Sequence, residues 1–154
     1  MLCSSSGKAI RFNETAVRSM GRNARGVRGI KLGDSESLIS LIIPSEGYLL
    51  SASQNGYGKR TPMKDFPAKG RGGQGVIAIQ TSERNGKMIG ATQVFDGDEV
   101  MLISNSGTLV RIPTEQISVV GRNTQGVKLI SLKEGELLNS VERIADRQED
   151  QTKD

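Results

Sequence analysis

Short apolar runs separated by glycine-bearing turns fill this chain almost from its first residue. "VMLIS" (100–104) is continuous and apolar, the pattern of a buried strand. "TLVRIP" (108–113) alternates, with Val110 and Ile112 on one side and Leu109 and Arg111 on the other. Ser6-Gly7 and Ser106-Gly107 join such runs with hairpin chemistry, since glycine accepts the positive φ of a tight turn. Third strands are expected over 26–31, 75–80 and 126–131. Fourth runs follow at "SLISLII", "KMIGATQV" and "LLNSVERI". Only 13–19 and 114–118 have the makings of a helical turn.

The pattern repeats. Setting "SSSGKAIRF" (4–12), "QNGYGKRTPM" (54–63) and "SNSGTLVRI" (104–112) in register aligns Gly7, Gly58 and Gly107. Further along, "RNARGVRGI", "RGGQGVIAI" and "RNTQGVKLI" align Gly26, Gly75 and Gly126, so one unit recurs about every fifty residues. In this register Ile10/Phe12, Thr61/Met63 and Val110/Ile112 point inward, and Arg11, Pro62 and Arg111 outward. Four strands per unit, three times over, predict an all-β chain of three four-stranded antiparallel blades. The expected units are 1–46, 47–97 and 98–144, with a disordered charged tail at 145–154.

Composition narrows the class. Hydrophobic residues make up 35% and aromatics 3%, with no Trp, so the core must be built from Val, Ile and Leu. Nineteen glycines against four prolines suit many tight turns. The formal charge is +4, with residues 142–154 at −2 and residues 1–141 at +6, a basic body suited to a polyanion. The single cysteine, Cys3, excludes an intrachain disulfide and suits a reducing cytoplasm; its place matches the apolar Ile103, a core position. No apolar run is long enough to span a membrane, and the opening residues lack a signal peptide's apolar segment. The chain begins directly in a strand and is expected to be a piece of a longer protein, with Met1 an internal residue.

Catalytic chemistry is poorly provided for. There is no histidine, hence neither the commonest general base nor the commonest metal ligand. "GRGGQG" lacks the Gly-Lys-Ser/Thr of a phosphate-binding loop. Asp96, Asp98 and Glu99 read as a solvated turn entering a strand rather than as a Mg²⁺ site. The chain is expected to hold no catalytic residue and no metal.

The cations, in contrast, repeat with the unit. Arg22, Arg71 and Arg122 each stand four residues before the aligned glycine. Arg11 and Arg111 recur on the outward strand face, and Lys8 and Lys59 recur just after the hairpin glycine. Arg18, Arg25, Arg28, Arg60, Lys64, Lys69 and Lys128 add to them. Any one of these arginines could equally cap turn carbonyls or tie two blades together; three in register favour a track of phosphate contacts along a rim. With so few aromatics to stack on bases, a duplex backbone suits the track better than single strands or RNA. Bending a 20–30 bp duplex through 40–90° costs roughly 1–6 kcal/mol, which a series of basic loops on a curved rim can offset.

"GVRGIKLGD" (26–34), "NGYGKRTPM" (55–63), "ERNGKMIGA" (83–91) and "VGRNTQGV" (120–127) together resemble the C-terminal domain of DNA gyrase A, over the chain to about residue 144. The resemblance implies a β-pinwheel, a six-bladed relative of the propeller whose blades exchange strands, of which these would be the last three blades. It implies non-specific wrapping of duplex DNA with positive handedness, in support of negative supercoiling by an ATP-dependent type II topoisomerase. The implied partners are duplex DNA, the rest of gyrase A, and gyrase B in an A2B2 complex, in a bacterial cytoplasm at the nucleoid; ATP and Mg²⁺ are used elsewhere in that enzyme. "KGRGGQG" (69–75) matches the family's Gln-Arg-Arg-Gly-Gly-Lys-Gly heptad at Arg71, Gly72, Gly73 and Gly75, without the leading Gln-Arg and with Gln74 in the lysine's place. The open ends of half a wheel invite pairing with another copy. Alternatives are the corresponding domain of the related topoisomerase IV and a propeller-type protein-interaction scaffold.

Overall fold

The computed structural model describes residues 1–146, in three small antiparallel sheets built from eleven strands. The first unit contributes β1 (Leu2–Ser4), β2 (Lys8–Ile10) and β3 (Leu38–Leu41). The second contributes β4 (Tyr48–Ser53), β5 (Tyr57–Pro62), β6 (Val76–Ile77) and β7 (Met88–Val94). The third contributes β8 (Glu99–Ser104), β9 (Leu109–Pro113), β10 (Val127–Lys128) and β11 (Leu138–Ile144). Three one-turn 3₁₀ segments, Glu14–Ala16, Met63–Asp65 and Thr114–Gln116, follow β2, β5 and β9. No helix of the described residues is long and apolar enough to cross a membrane. The tail expected over 145–154 lies, from residue 147 on, outside the described residues.

Each sheet borrows a strand where a following unit can lend one. The sheet orders are β3-β1-β2-β6, β10-β5-β4-β7 and β11-β8-β9. Thus β6 of the second unit closes the first unit's sheet on β2, and β10 of the third closes the second unit's sheet on β5. A glycine makes each crossing possible. Gly75 and Gly126 have φ of +79° and +76°, and a Cβ there would stand 2.4 Å from the carbonyl oxygens of Ala9 and Gly58 respectively. The third strands are therefore shorter than expected and belong to the neighbouring sheet. Residues 26–31 form no strand among the described residues: their backbone partners are in the second unit's loop, Gly72 donating to the carbonyl of Gly29 and Lys31 to that of Gly73, and no sheet includes them, while the third sheet has three described strands.

The hairpin register differs from the expected one. The turn glycines with positive φ are Gly7, Gly56 and Gly107, at +81°, +89° and +87°, so Gly56 and not Gly58 is the equivalent of Gly7. Gly58 lies inside β5. Both glycine series then advance by 49 and 51 residues, and Arg11, Arg60 and Arg111 become one equivalent set, as do Ile10, Lys59 and Val110. The same correction accounts for the second unit's 3₁₀ turn at Met63–Asp65, which the misplaced register concealed.

The cores lie between units. Met1, Cys3 and Ile42 of the first unit pack with Leu49, Phe66, Ile79 and Met88 of the second. Leu50 and Ala52 of the second pack in two clusters with Val100, Leu102, Ile117 and Leu138 of the third. Fully burying one such side chain is worth about 1.5–3 kcal/mol, so each unit depends on its neighbour for stability.

Candidate nucleic-acid interface

Three equivalent connecting segments, 13–31, 62–80 and 113–131, follow β2, β5 and β9 and run through the glycines at 26, 75 and 126, and they hold most of the expected DNA contacts. The structure divides those cations into ties and free groups.

The arginines of the repeated loop are ties where a neighbour exists. Arg71 donates from Nε to the carbonyl of Ala16 at 2.9 Å and from a terminal nitrogen to that of Arg28 at 3.1 Å, linking the second unit to the first. Arg122 donates to the carbonyl of Ile77 at 3.3 Å, linking the third to the second. Arg22, their equivalent in the first unit, is exposed, and its side chain has no hydrogen bond or ion pair among the described residues. Arg11 donates to the carbonyls of Met63 and Phe66, and Arg60 donates from Nε to that of Ile117 at 2.8 Å.

Two expected contacts are corrected outright. Lys59 is 0% exposed, and its ammonium donates to the carbonyls of Gly121 and Arg122 and to Thr124 Oγ1. Burial, with a smaller contribution from the Arg122 guanidinium, pushes its pKa down to about 8. A side chain whose three protons are spent on the loop 121–124 fixes that loop and cannot reach a phosphate. Arg60 is likewise buried: it donates to Ile117, pairs with Asp96 at 3.2 Å and stacks over the Tyr48 ring.

The acidic trio is not simply a solvated turn, because each member meets an arginine. Asp96 takes Arg60, Glu99 takes Arg111, and the buried Asp98 takes Arg143 at 2.6 Å. Asp98 also accepts from the amides of Phe95 and Asp146. These donors and Arg143 outweigh desolvation, the largest single influence, and hold its carboxyl below the usual range. Arg111 is exposed but held by Glu99. Lys8 reaches Gln74 at 3.2 Å from an accessible position.

What remains open is a group of exposed cationic side chains with no hydrogen bond or ion pair among the described residues: those of Arg18, Arg22, Arg25, Arg28, Lys64, Lys69 and Lys128. Lys31, Lys87 and Lys133 join them; being single lysines without a counterpart in the other units, they gave no repeat signal in the sequence. Arg84 was also missed, and it is a tie: it stacks over Tyr57 at 4.2 Å and donates to the carbonyl of Gly126 at 3.0 Å.

Charge is graded along the series. Segment 13–31 carries five cations and one acid, 62–80 three and one, and 113–131 two and one, or +4, +2 and +1. The first unit's segment is also the one whose cations are least engaged by protein. Its geometry offers a set of unengaged guanidinium groups to closely spaced anions, and the later segments extend that set more sparsely.

A family model described as DNA gyrase C-terminal domain, beta-propeller, matches residues 1–45, 47–94 and 98–145. The DNA gyrase A protein of Pseudomonas aeruginosa is 59% identical over 94% of this chain and 16% of its own length. That of Salmonella typhimurium is 53% identical over 100% of this chain and 18% of its own. The chain thus spans under a fifth of the length of these curated relatives. Among solved structures, a DNA gyrase A C-terminal domain superposes with a TM-score of 0.84 at 29% identity, covering 94% of this chain and 50% of that one. The C-terminal domain of a DNA topoisomerase IV superposes almost as well, with a TM-score of 0.83 at 25% identity, covering 93% and 45%. The fold is common to both; the high-identity sequence relatives are gyrase proteins.

Proposed function

The chain belongs to the DNA gyrase C-terminal domain family, and from that premise we propose that it binds duplex DNA irrespective of sequence and bends it along its connecting segments. The observation that carries this reading is the graded run of exposed, protein-free cations over 13–31, 62–80 and 113–131. Contacts of this kind read the phosphate backbone and release its counterions, so affinity should depend on salt and length and not on base order. Spacing them over successive units lets many weak contacts offset the bending cost, roughly 1–6 kcal/mol for a site of 20–30 bp.

Within the longer gyrase A protein, this chain serves as a non-catalytic wrapping element of the ATP-dependent type II topoisomerase DNA gyrase. It presents a positively wrapped segment to a cleavage site elsewhere in an A2B2 complex, where ATP and Mg²⁺ are used, in the bacterial cytoplasm at the nucleoid.

The test is a salt titration with short and long fluorescent duplexes of unrelated sequence. Affinity that falls steeply with salt, rises with length and ignores sequence supports the reading. Salt-insensitive or sequence-selective binding would overturn it.

A further inference from the structure

The third unit's loop, 121–126, is held by its backbone. Each of its six carbonyls accepts a hydrogen bond from the second unit. Lys59 Nζ donates to that of Gly121 at 2.6 Å and to that of Arg122. Gln80 donates from its side chain to that of Asn123 at 3.5 Å and from its amide to that of Thr124 at 3.0 Å. Asn85 Nδ2 reaches that of Gln125 at 2.7 Å, and an Arg84 guanidinium nitrogen that of Gly126 at 3.0 Å. The amides of Arg122, Asn123, Thr124 and Gln125, by contrast, donate to nothing among the described residues. No peptide bond is cis, so each of these N–H groups points away from the carbonyl of the residue before it. Carbonyls drawn onto the second unit thus turn successive N–H groups off it.

The second unit's equivalent loop, 70–75, is built otherwise. There the amide of Gly72 is spent on the carbonyl of Gly29, and among the described residues only the carbonyl of Gly73 is engaged, by the Lys31 amide. The third unit makes no hydrogen bond with that loop, so its far side stays open although a unit stands on each side. Lys59 is one source of the difference, since the first unit has the apolar Ile10 in its place. Burial brings its pKa down to about 8, so it is charged at neutral pH and puts a cation beneath the loop. Gly121 leaves the approach clear, because a Cβ there would meet nothing within 4 Å.

We propose that the amides of Arg122, Asn123, Thr124 and Gln125 are a main-chain seat for a phosphate group of a nucleic-acid backbone. Successive N–H groups facing off the fold, with a buried cation behind them, favour an anion and read no base. The inference rests on the DNA-binding reading and deepens it. It gives the third unit, whose connecting segment carries only +1, a contact that needs no side-chain charge. Lys59, Gln80 and Asn85 act here as positioning residues, which hold the loop and do not touch the phosphate.

Amide resonances of the ¹⁵N-labelled chain, followed during titration with a short duplex and separately with inorganic phosphate, test the proposal. Those of Arg122 to Gln125 should move downfield with the duplex, in step with binding measured by fluorescence, and stay in place at the same concentration of inorganic phosphate. Movement with phosphate but not with duplex would assign the seat to the free ion and overturn the proposal. Duplex binding that leaves all four in place would overturn it and spare the DNA-binding reading; a chain that binds no duplex would overturn both. Asn123→Pro removes one N–H and no charge, at a position whose φ is not positive. Circular dichroism should show it folded. Its duplex affinity should fall about tenfold, with the slope of log affinity against log salt unchanged, because counterion release follows charge. Unchanged affinity, or a loss accompanied by a fall in the slope, would overturn the proposal.

Discussion

At the scale of single residues, buried charge does structural work that the sequence presents as surface chemistry. Lys59 replaces the apolar Ile10 and Val110 of the other units and holds the loop 121–124 through three donated hydrogen bonds. Replacing it by methionine leaves those acceptors without their donor, at about 1–3 kcal/mol for each one that stays buried. Lys59→Met should therefore lose about 2–4 kcal/mol in urea denaturation at neutral pH. The folded-state pKa of Lys59 is lowered from 10.5 to about 8. Between those values the unfolded chain binds the extra proton, so this residue makes stability rise with pH across that window, and Lys59→Met should flatten the rise. Glu136 is shifted in the same direction, with its effect in the acid range. Its carboxylate accepts from Ser104, Ser106 and the Lys133 amide, which hold its pKa at about 2 against an ordinary 4.5. The stability it provides is complete above about 4.5 and lost as pH falls towards 2. Glu136→Gln should remove that part of the acid destabilisation, measurable as a smaller drop in melting temperature between about pH 5 and pH 3.

At the scale of elements, the glycine crossing is the device that makes an array of the repeats. Gly26, Gly75 and Gly126 share a positive φ near +80°, and only the last two meet a neighbouring strand. Alanine in the left-handed region costs about 1–2 kcal/mol from backbone sterics alone. Gly75→Ala and Gly126→Ala add a collision with a carbonyl oxygen and should lose about 3 kcal/mol or more, by parting β6 from β2 or β10 from β5. Gly26→Ala meets nothing within 4 Å in the isolated chain and should lose only the backbone part. Equal losses at all three positions in urea denaturation of the monomer would show that the glycines serve the turn and not the crossing.

At the scale of the whole molecule, the gradient of +4, +2 and +1 predicts unequal shares in DNA binding. Each phosphate contact adds about 0.9 to the slope of log affinity against log salt. The triple change Arg18→Ala, Arg25→Ala and Arg28→Ala should lower that slope by about two to three. Lys128→Ala should lower it by about one at most. Neither should alter sequence preference, as competition with duplexes of different composition would show. The same view explains the weak autonomy of a unit: with its cores at the junctions, one repeat buries little apolar surface without a neighbour.

The sequence by itself determined the all-β class, the number of units and the recurrence of Gly26, Gly75 and Gly126, because strand alternation and repeat period are written in residue type, while the crossing of a strand into the neighbouring sheet at Gly75 and Gly126 emerged only from the structure. It also located the connecting segments and the cations on them. It misplaced one register by two residues, since "NGYG" offers two glycines and only Gly56 has the turn's φ, and that slip hid the Arg11, Arg60 and Arg111 set. Which arginines are free was a tertiary matter. Arg22, Arg71 and Arg122 are alike in sequence, yet Arg71 and Arg122 donate across a junction while Arg22 has none to donate into. Lys59 reads as a surface lysine until the next unit's loop closes over it. A hydrogen bond between residues fifty or sixty positions apart depends on how neighbouring units dock, and docking is a property of the assembled array rather than of the repeat.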